Sequence, residues 1–283
     1  MTGPRRAAVL GSPIAHSLSP CLHRAAYAQL GLDWRYDAIE VTQSGLAPFL
    51  AGLGPQWAGL SLTMPLKRAV LPLLDGASDM VALTGAANTV VLGPQGRIGH
   101  NTDVTGIVRA LQGIGAPTAA PAVVLGAGAT AGSALAALAQ LGCTCVAVLA
   151  RRPDAAEGLL PLAEALGLPT DVGPLPQVLP ARTQAPIVVS TLPVGGSQAL
   201  APRVPEHPGW LLDVAYDPWP PPLAAAWVAA GGSAATGDEM LLHQAVEQVR
   251  LMTGQQPDVA AMRAGLQAEI TRRRVAAQGH APR

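Results

Sequence analysis

Apolar and polar positions along this chain alternate in two textures. In the first hundred residues, short apolar runs at Ala7–Leu10, Arg35–Glu40, Gly59–Thr63 and Asn88–Leu92 predict strands, with a short return at Arg97–His100. Between them, Pro20–Leu30, Gly45–Leu53 and Pro65–Leu74 predict helices. After Asp103 the texture changes. "VTGIVRALQGIG" reads as a short amphipathic helix ending in glycines, and from Ala110 to Ala150 the chain carries no Asp, Glu, Lys, Arg or His. Pro117, Pro121, Gly126, Gly128, Gly132 and Gly142 interrupt that run. It therefore predicts strand, glycine turn, Ala-rich helix, turn and strand rather than a membrane span, because parallel strands buried on both faces are continuously apolar. Further strands are expected at Pro186–Ser190 and Leu211–Val214, with "YDPWPPP" as a rigid loop. "GDEMLLHQAVEQVRLMTG" is the clearest late helix, closing at Gly254, and the polar, basic tail after Ile270 is expected to fray. The class is α/β.

Composition narrows this little. The chain has 283 residues, 49% of them hydrophobic, enough for a sizeable core. Lys plus Arg equals Asp plus Glu at 18 each, which offers nothing to nucleic acid or an anionic membrane. Cys21, Cys143 and Cys145 form neither a disulfide framework nor a zinc pattern, and His16 and His23 are assigned packing or polar contacts, so no metal site is expected. "MTGPRRAAVLG" lacks the long apolar stretch of a signal peptide, and a reduced, cytoplasmic protein is expected.

Two stretches carry candidate chemistry. In "VVLGAGATAG", Gly126, Ala127, Gly128, Ala129, Thr130 and Ala131 match G-x-G-x-x-A after a strand and at the opening of a helix. The first glycine allows the tight turn, the second lets backbone approach a pyrophosphate, and the small last residue lets helix and strand pack closely. A bare βα turn is the plainer alternative; the context favours a dinucleotide. The next strand ends in Ala150, Arg151 and Arg152, with no acid to hold a ribose 2′-hydroxyl, so NADP is expected over NAD. In "GSPIAHSLSP", Ser19 fits a helix N-cap and Pro20 the first helical position, although a helix start also attracts anions.

"GSPIAHSLSP", "LTMPLK", "GAANT", "HNTD", the GAGATA turn, "DVAYDPWPPPL" and "GDEMLLHQA" follow one another in an order that resembles the shikimate dehydrogenase family, from about Ala7 to about Gly254. The resemblance implies an N-terminal α/β substrate domain over residues 1–103, a Rossmann-type NADP-binding domain over 104–236, and a C-terminal helical segment over 237–283 returning to the first domain. It implies the reversible NADP-linked reduction of 3-dehydroshikimate to shikimate, in aromatic amino-acid biosynthesis. Ser17 and Ser19 match serines that hold the substrate carboxylate. Lys67 matches the catalytic lysine and Asp103 its partner, where the residues alone suggest a surface lysine and a helix cap. Thr63, Asn88, Tyr216 and Gln244 match substrate contacts. Thr191, Leu192, Val214, Gly237 and Asp79 match contacts to the cofactor. Ser61 stands where many members have Asn, His100 replaces an Asp, and Pro221 replaces a Thr. The expected partner is the small-molecule substrate alone, and the protein a monomer or homodimer. Rival expectations are a quinate or aminoshikimate dehydrogenase, perhaps using NAD, and a catalytically silent ligand sensor on the same fold.

Overall fold

A computed structural model describes residues 4–175, 179–181 and 184–278. Within them the chain forms two compact units. One holds the chain up to Val81, Ala87–Thr102 and everything from Gln244; the other holds Ala82–Ala86 and Asp103–His243.

The first unit opens with β1 (Arg5–Gly11), α1 (Ser19–Gln29), β2 (Trp34–Glu40), α2 (Leu46–Ala51) and β3 (Trp57–Leu62). It continues through α3 (Leu66–Ala69), β4 (Gly76–Ala77), α4 (Asp79–Thr84), β5 (Thr89–Gly93) and β6 (Gly96–His100). Its sheet runs β2-β1-β3-β5-β6-β4 and is mixed: β1 is parallel to β2 and β3, while β5 is antiparallel to both β3 and β6. Leu10, Leu60, Leu62, Leu66, Val70 and Val90 pack in one core under this sheet.

The second unit holds α5 (Asp103–Gly113), β7 (Ala122–Leu125), α6 (Ala129–Gln140), β8 (Val146–Ala150), α7 (Pro153–Glu157), α8 (Leu160–Ala165) and β9 (Thr170–Pro174). It then adds β10 (Ile187–Ser190), α9 (Val194–Gln198), β11 (Trp210–Asp213), α10 (Pro222–Ala229) and β12 (Ser233–Thr236). Its six strands, in the order β12-β11-β10-β7-β8-β9, are all parallel. The central β7 and β10 are buried at every residue, as an uninterrupted apolar run requires when helices cover both faces. No helix among the described residues is long and apolar enough to cross a membrane. Two further helices, α11 (Gly237–Thr253) and α12 (Val259–Gln278), complete the chain, and α12 packs on α1.

The structure corrects three expectations. The helix over Pro65–Leu74 is broken into the single turn of α3 and a 3₁₀ turn at Leu71–Leu73, because Pro72 cannot continue the ladder. The tail after Ile270 does not fray there: α12 runs to Gln278, and Glu269 pairs with Arg272 at 2.7 Å and Arg273 at 2.8 Å on its own surface. Ser19 is not an N-cap. It is the first residue of α1, the cap position is Leu18 with no side-chain cap, and it is the Ser17 hydroxyl that accepts the Ser19 N–H at 3.3 Å.

Candidate functional site

In the first unit the predicted residues gather at the carboxyl ends of β1 and β3 and the start of β5. Ser17 and Ser19 are both buried, joined by the bond just described. Arg273 of α12 donates to the His16 carbonyl at 2.7 Å and the Ser17 carbonyl at 3.0 Å, so the C-terminal helix holds this loop from behind. Thr63 follows β3 directly and its N–H donates to the Leu10 carbonyl at 2.9 Å. Lys67 is half-buried on α3, and its carbonyl accepts the Ala87 N–H at 2.8 Å, which ties it to the strand entering Asn88. Asp79 opens α4 and is exposed.

Asn88, Thr102 and Gln244 come from three separate motifs and meet in one buried cluster. Asn88 Nδ2 donates to Thr102 Oγ1 at 2.9 Å and to Gln244 Oε1 at 3.3 Å. Asn88 Oδ1 accepts from the Thr102 N–H at 2.8 Å and the Thr89 hydroxyl at 2.8 Å. Next to this cluster lies a second set the sequence did not single out. Gln248, one turn after Gln244 on α11, bonds Ser61, His23, Thr89 and the Asn88 carbonyl. His23 stacks on Tyr36 at a centroid distance of 3.9 Å, and burial pushes its pKa down to about 3, with the Gln248 bond opposing. The polar-contact assignment for His23 matches this setting. Burial likewise raises Tyr36 well above the ordinary tyrosine range, opposed by the Ser61 hydroxyl. Ser61 therefore spends its hydroxyl internally, accepting from Tyr36 at 2.6 Å and donating to Gln248 at 2.7 Å. Helical periodicity was the available signal for Gln248: it repeats Gln244 at i+4. His100, half-buried, is lowered by burial, with Glu247 opposing.

In the second unit Asp103 is the first residue of α5 and is buried. The glycine turn joins β7 to α6. Gly126 adopts φ +106°, and a Cβ there would lie 2.6 Å from Thr191 Oγ1, so only glycine fits. Thr191 in turn donates to the Leu125 carbonyl at 2.9 Å, and Leu192 is buried beside it. Gly128 is the exposed N-cap of α6 with no side-chain cap, and no protein atom lies within 4 Å of where its Cβ would be. Ala127, Ala129 and Thr130 are half-buried and Ala131 fully buried against the sheet. Open space before the backbone N–H groups of a twelve-residue helix fits a pyrophosphate. Arg151 and Arg152 are exposed just past β8, and Arg152 is the N-cap position of α7. Val214 follows β11; a Cβ on Gly237, at the start of α11, would overlap the Val214 carbonyl. Tyr216 is half-buried in the loop after β11, and Pro221 is the N-cap position of α10.

Residues 9–90 match the family model for the shikimate dehydrogenase substrate binding domain, and residues 237–267 that for the shikimate 5′-dehydrogenase C-terminal domain. The NADP(+) shikimate dehydrogenase of Citrifermentans bemidjiense is 37% identical over 96% of this chain and 98% of its own. Among solved structures, the shikimate dehydrogenase of Mycobacterium tuberculosis superposes with a TM-score of 0.85 at 43% identity, covering 94% of this chain and 100% of that one. That of Thermus thermophilus, solved with NADP(H) and shikimate, gives 0.81 at 35% identity, covering 93% and 99%.

Proposed function

The chain belongs to the shikimate dehydrogenase family, and on that premise we propose that it interconverts 3-dehydroshikimate and shikimate with NADP. The first unit is the substrate unit and the second the NADP unit. The observation that supports the assignment of residues is the buried cluster of Asn88, Thr102 and Gln244, which brings polar side chains of three separate motifs together in one place. Ser17, Ser19 and Tyr216 take the substrate carboxylate, and Thr63 and Asn88 the ring hydroxyls. The Gly126–Ala131 turn and the α6 N-terminus take the pyrophosphate, while Arg151 and Arg152 take the 2′-phosphate. Thr191, Leu192, Val214, Gly237 and Asp79 complete the cofactor contacts.

When bound, NADP supplies the hydride acceptor for shikimate oxidation and the donor for the reverse reaction. The protein must manage the proton. Lys67 Nζ takes it from the C3 hydroxyl during oxidation and returns it during reduction, with Asp103 as its catalytic partner. The protein works in the cytoplasm as a monomer or homodimer.

The test is absorbance at the reduced-nicotinamide band with shikimate and NADP, then with quinate and with NAD. Turnover with shikimate excludes a silent sensor. Lys67→Ala is expected to lower kcat by roughly 10²–10⁴ with a smaller effect on KM, as for loss of an acid–base group. A variant within a few-fold of wild-type kcat would remove Lys67 from the mechanism.

A further inference from the structure

The polar network behind Asn88 has a fixed direction, and two backbone groups set it: the Asn88 carbonyl at one end and the Thr102 N–H at the other. The Asn88 carbonyl can only accept a hydrogen bond, so the Gln248 side chain must turn its NH₂ toward it, at 3.2 Å. The second hydrogen of that NH₂ goes to Thr89 Oγ1 at 2.9 Å. Having accepted there, the Thr89 hydroxyl donates onward to Asn88 Oδ1 at 2.8 Å. Asn88 Oδ1 is thus held on the Thr89 and Thr102 side, and Asn88 Nδ2 is directed toward Thr102 Oγ1 and Gln244 Oε1. At its other end Gln248 presents Oε1, which takes the Ser61 hydroxyl at 2.7 Å and His23 Nε2 at 3.2 Å. His23 must then carry its proton on Nε2, leaving Nδ1 to accept from the Tyr27 hydroxyl at 3.3 Å. Burial, which keeps His23 neutral, suits this tautomer.

We propose that Gln248 is a positioning residue for the substrate site: through Thr89 it holds Asn88 Oδ1 from one side while the Thr102 N–H holds it from the other, and both are needed to keep the Asn88 amide in place. The proposal rests on Asn88 being a substrate ligand. A displaced or flipped Asn88 would set its Oδ1 against Gln244 Oε1 and its NH₂ against the Thr102 N–H, disordering the Asn88–Gln244 pair. The loss should fall on shikimate binding, not on proton transfer at Lys67 or on NADP.

Four variants of the full-length enzyme test this by steady-state kinetics. Gln248→Met keeps most of the volume and removes the amide. Thr89→Val keeps the shape and removes the relay hydroxyl, whereas Thr89→Ser keeps the hydroxyl. Gln248→Met and Thr89→Val are each expected to raise KM for shikimate about tenfold, the worth of one misdirected hydrogen bond. kcat should stay within about threefold and KM for NADP should not move. Thr89→Ser should recover most of the loss. The Gln248→Met/Thr89→Val double variant should be no worse than the poorer single variant, because both break one relay. Effects that multiply, a Thr89→Ser enzyme as impaired as Thr89→Val, or an unchanged shikimate KM in Gln248→Met would overturn the proposal. Should Gln248→Met fail to fold, the Thr89 pair decides alone. Asn88→Ala separates the premise from the inference. An unchanged KM there removes Asn88 as a ligand; a raised KM beside an unaffected Gln248→Met removes only the role of Gln248.

Discussion

Asp213 gives the second unit a stability that falls as pH rises through the weakly acidic range. It ends β11 with no exposure to solvent, and burial raises its carboxyl pKa from the ordinary 3.8 to about 6. The Ala215 N–H, at 3.3 Å from Oδ1, pulls the other way, with weaker help from the Ser197 and Ser190 hydroxyls. These do not suffice, since Oδ2 and Ser190 Oγ each lack a hydrogen bond of good geometry among the described residues. Below about pH 4 the folded and unfolded chains both hold the proton, and the folded state keeps its full stability at this site. Between about 4 and about 6 the unfolded chain releases the proton while the folded chain retains it, so unfolding free energy falls as pH rises. Above about 6 the carboxylate is charged in both states and the loss is complete, at roughly 3 kcal/mol for a gap of this size. Asp213→Asn replaces the titrating group with a neutral one of the same shape. Urea unfolding of both proteins from about pH 4.5 to about pH 7.5 should show the variant gaining on wild type by 1–3 kcal/mol across that window, roughly the linkage term less what the new amide fails to satisfy. Asp75 and Glu269 do not confuse the comparison, because their pKa values are held at about 2 by Arg97 and by Arg272, and their contributions are lost only in stronger acid. Parallel stability curves for the two proteins would refute the argument.

Arg151→Ala should raise KM for NADP about tenfold while barely changing that for NAD, one charge-assisted bond to the 2′-phosphate being lost; equal losses for both cofactors would dismiss that contact. Ser17→Ala should weaken shikimate binding and also cost about 0.5–1.5 kcal/mol in urea unfolding, because the Ser17 hydroxyl accepts the Ser19 N–H. Ser19→Ala should raise KM for shikimate with little loss of stability, and a larger stability loss than in Ser17→Ala would show the assignment reversed. Gly237→Ala should destabilise the protein by about 1–3 kcal/mol in urea, since a Cβ would meet the Val214 carbonyl, a backbone atom that cannot swing aside; an unchanged midpoint would mean that the start of α11 can shift freely.

What could be read from the sequence was what local chemistry forces. A glycine at φ +106° between a buried strand and a helix announces itself, and so do β7 and β10, buried throughout and apolar but for Ser190, because both faces are covered. The misreadings have different causes, some local and some set by a partner far along the chain. The basic end of α12 looked solvated, yet Arg273 reaches back 257 residues to the His16 carbonyl and is held in line by Glu269. Ser19 had the local signature of a cap, but the chain enters α1 with Leu18 already near helical angles, which leaves the acceptor role to Ser17. The order of motifs brought Asn88 and Gln244 into view, although nothing local to either shows that they touch across 156 residues. Gln248 escaped notice for a subtler reason. A polar residue on a helix reads as facing water unless its partners are known, and those of Gln248 lie on α1, β3 and β5. Burying an amide so completely is costly unless its donors and acceptor are met, and here each is. A buried, fully bonded polar group constrains the orientation of every neighbour it touches. Gln248 therefore ties Ser61, His23, Thr89 and the Asn88 carbonyl into one fixed arrangement inside the first unit.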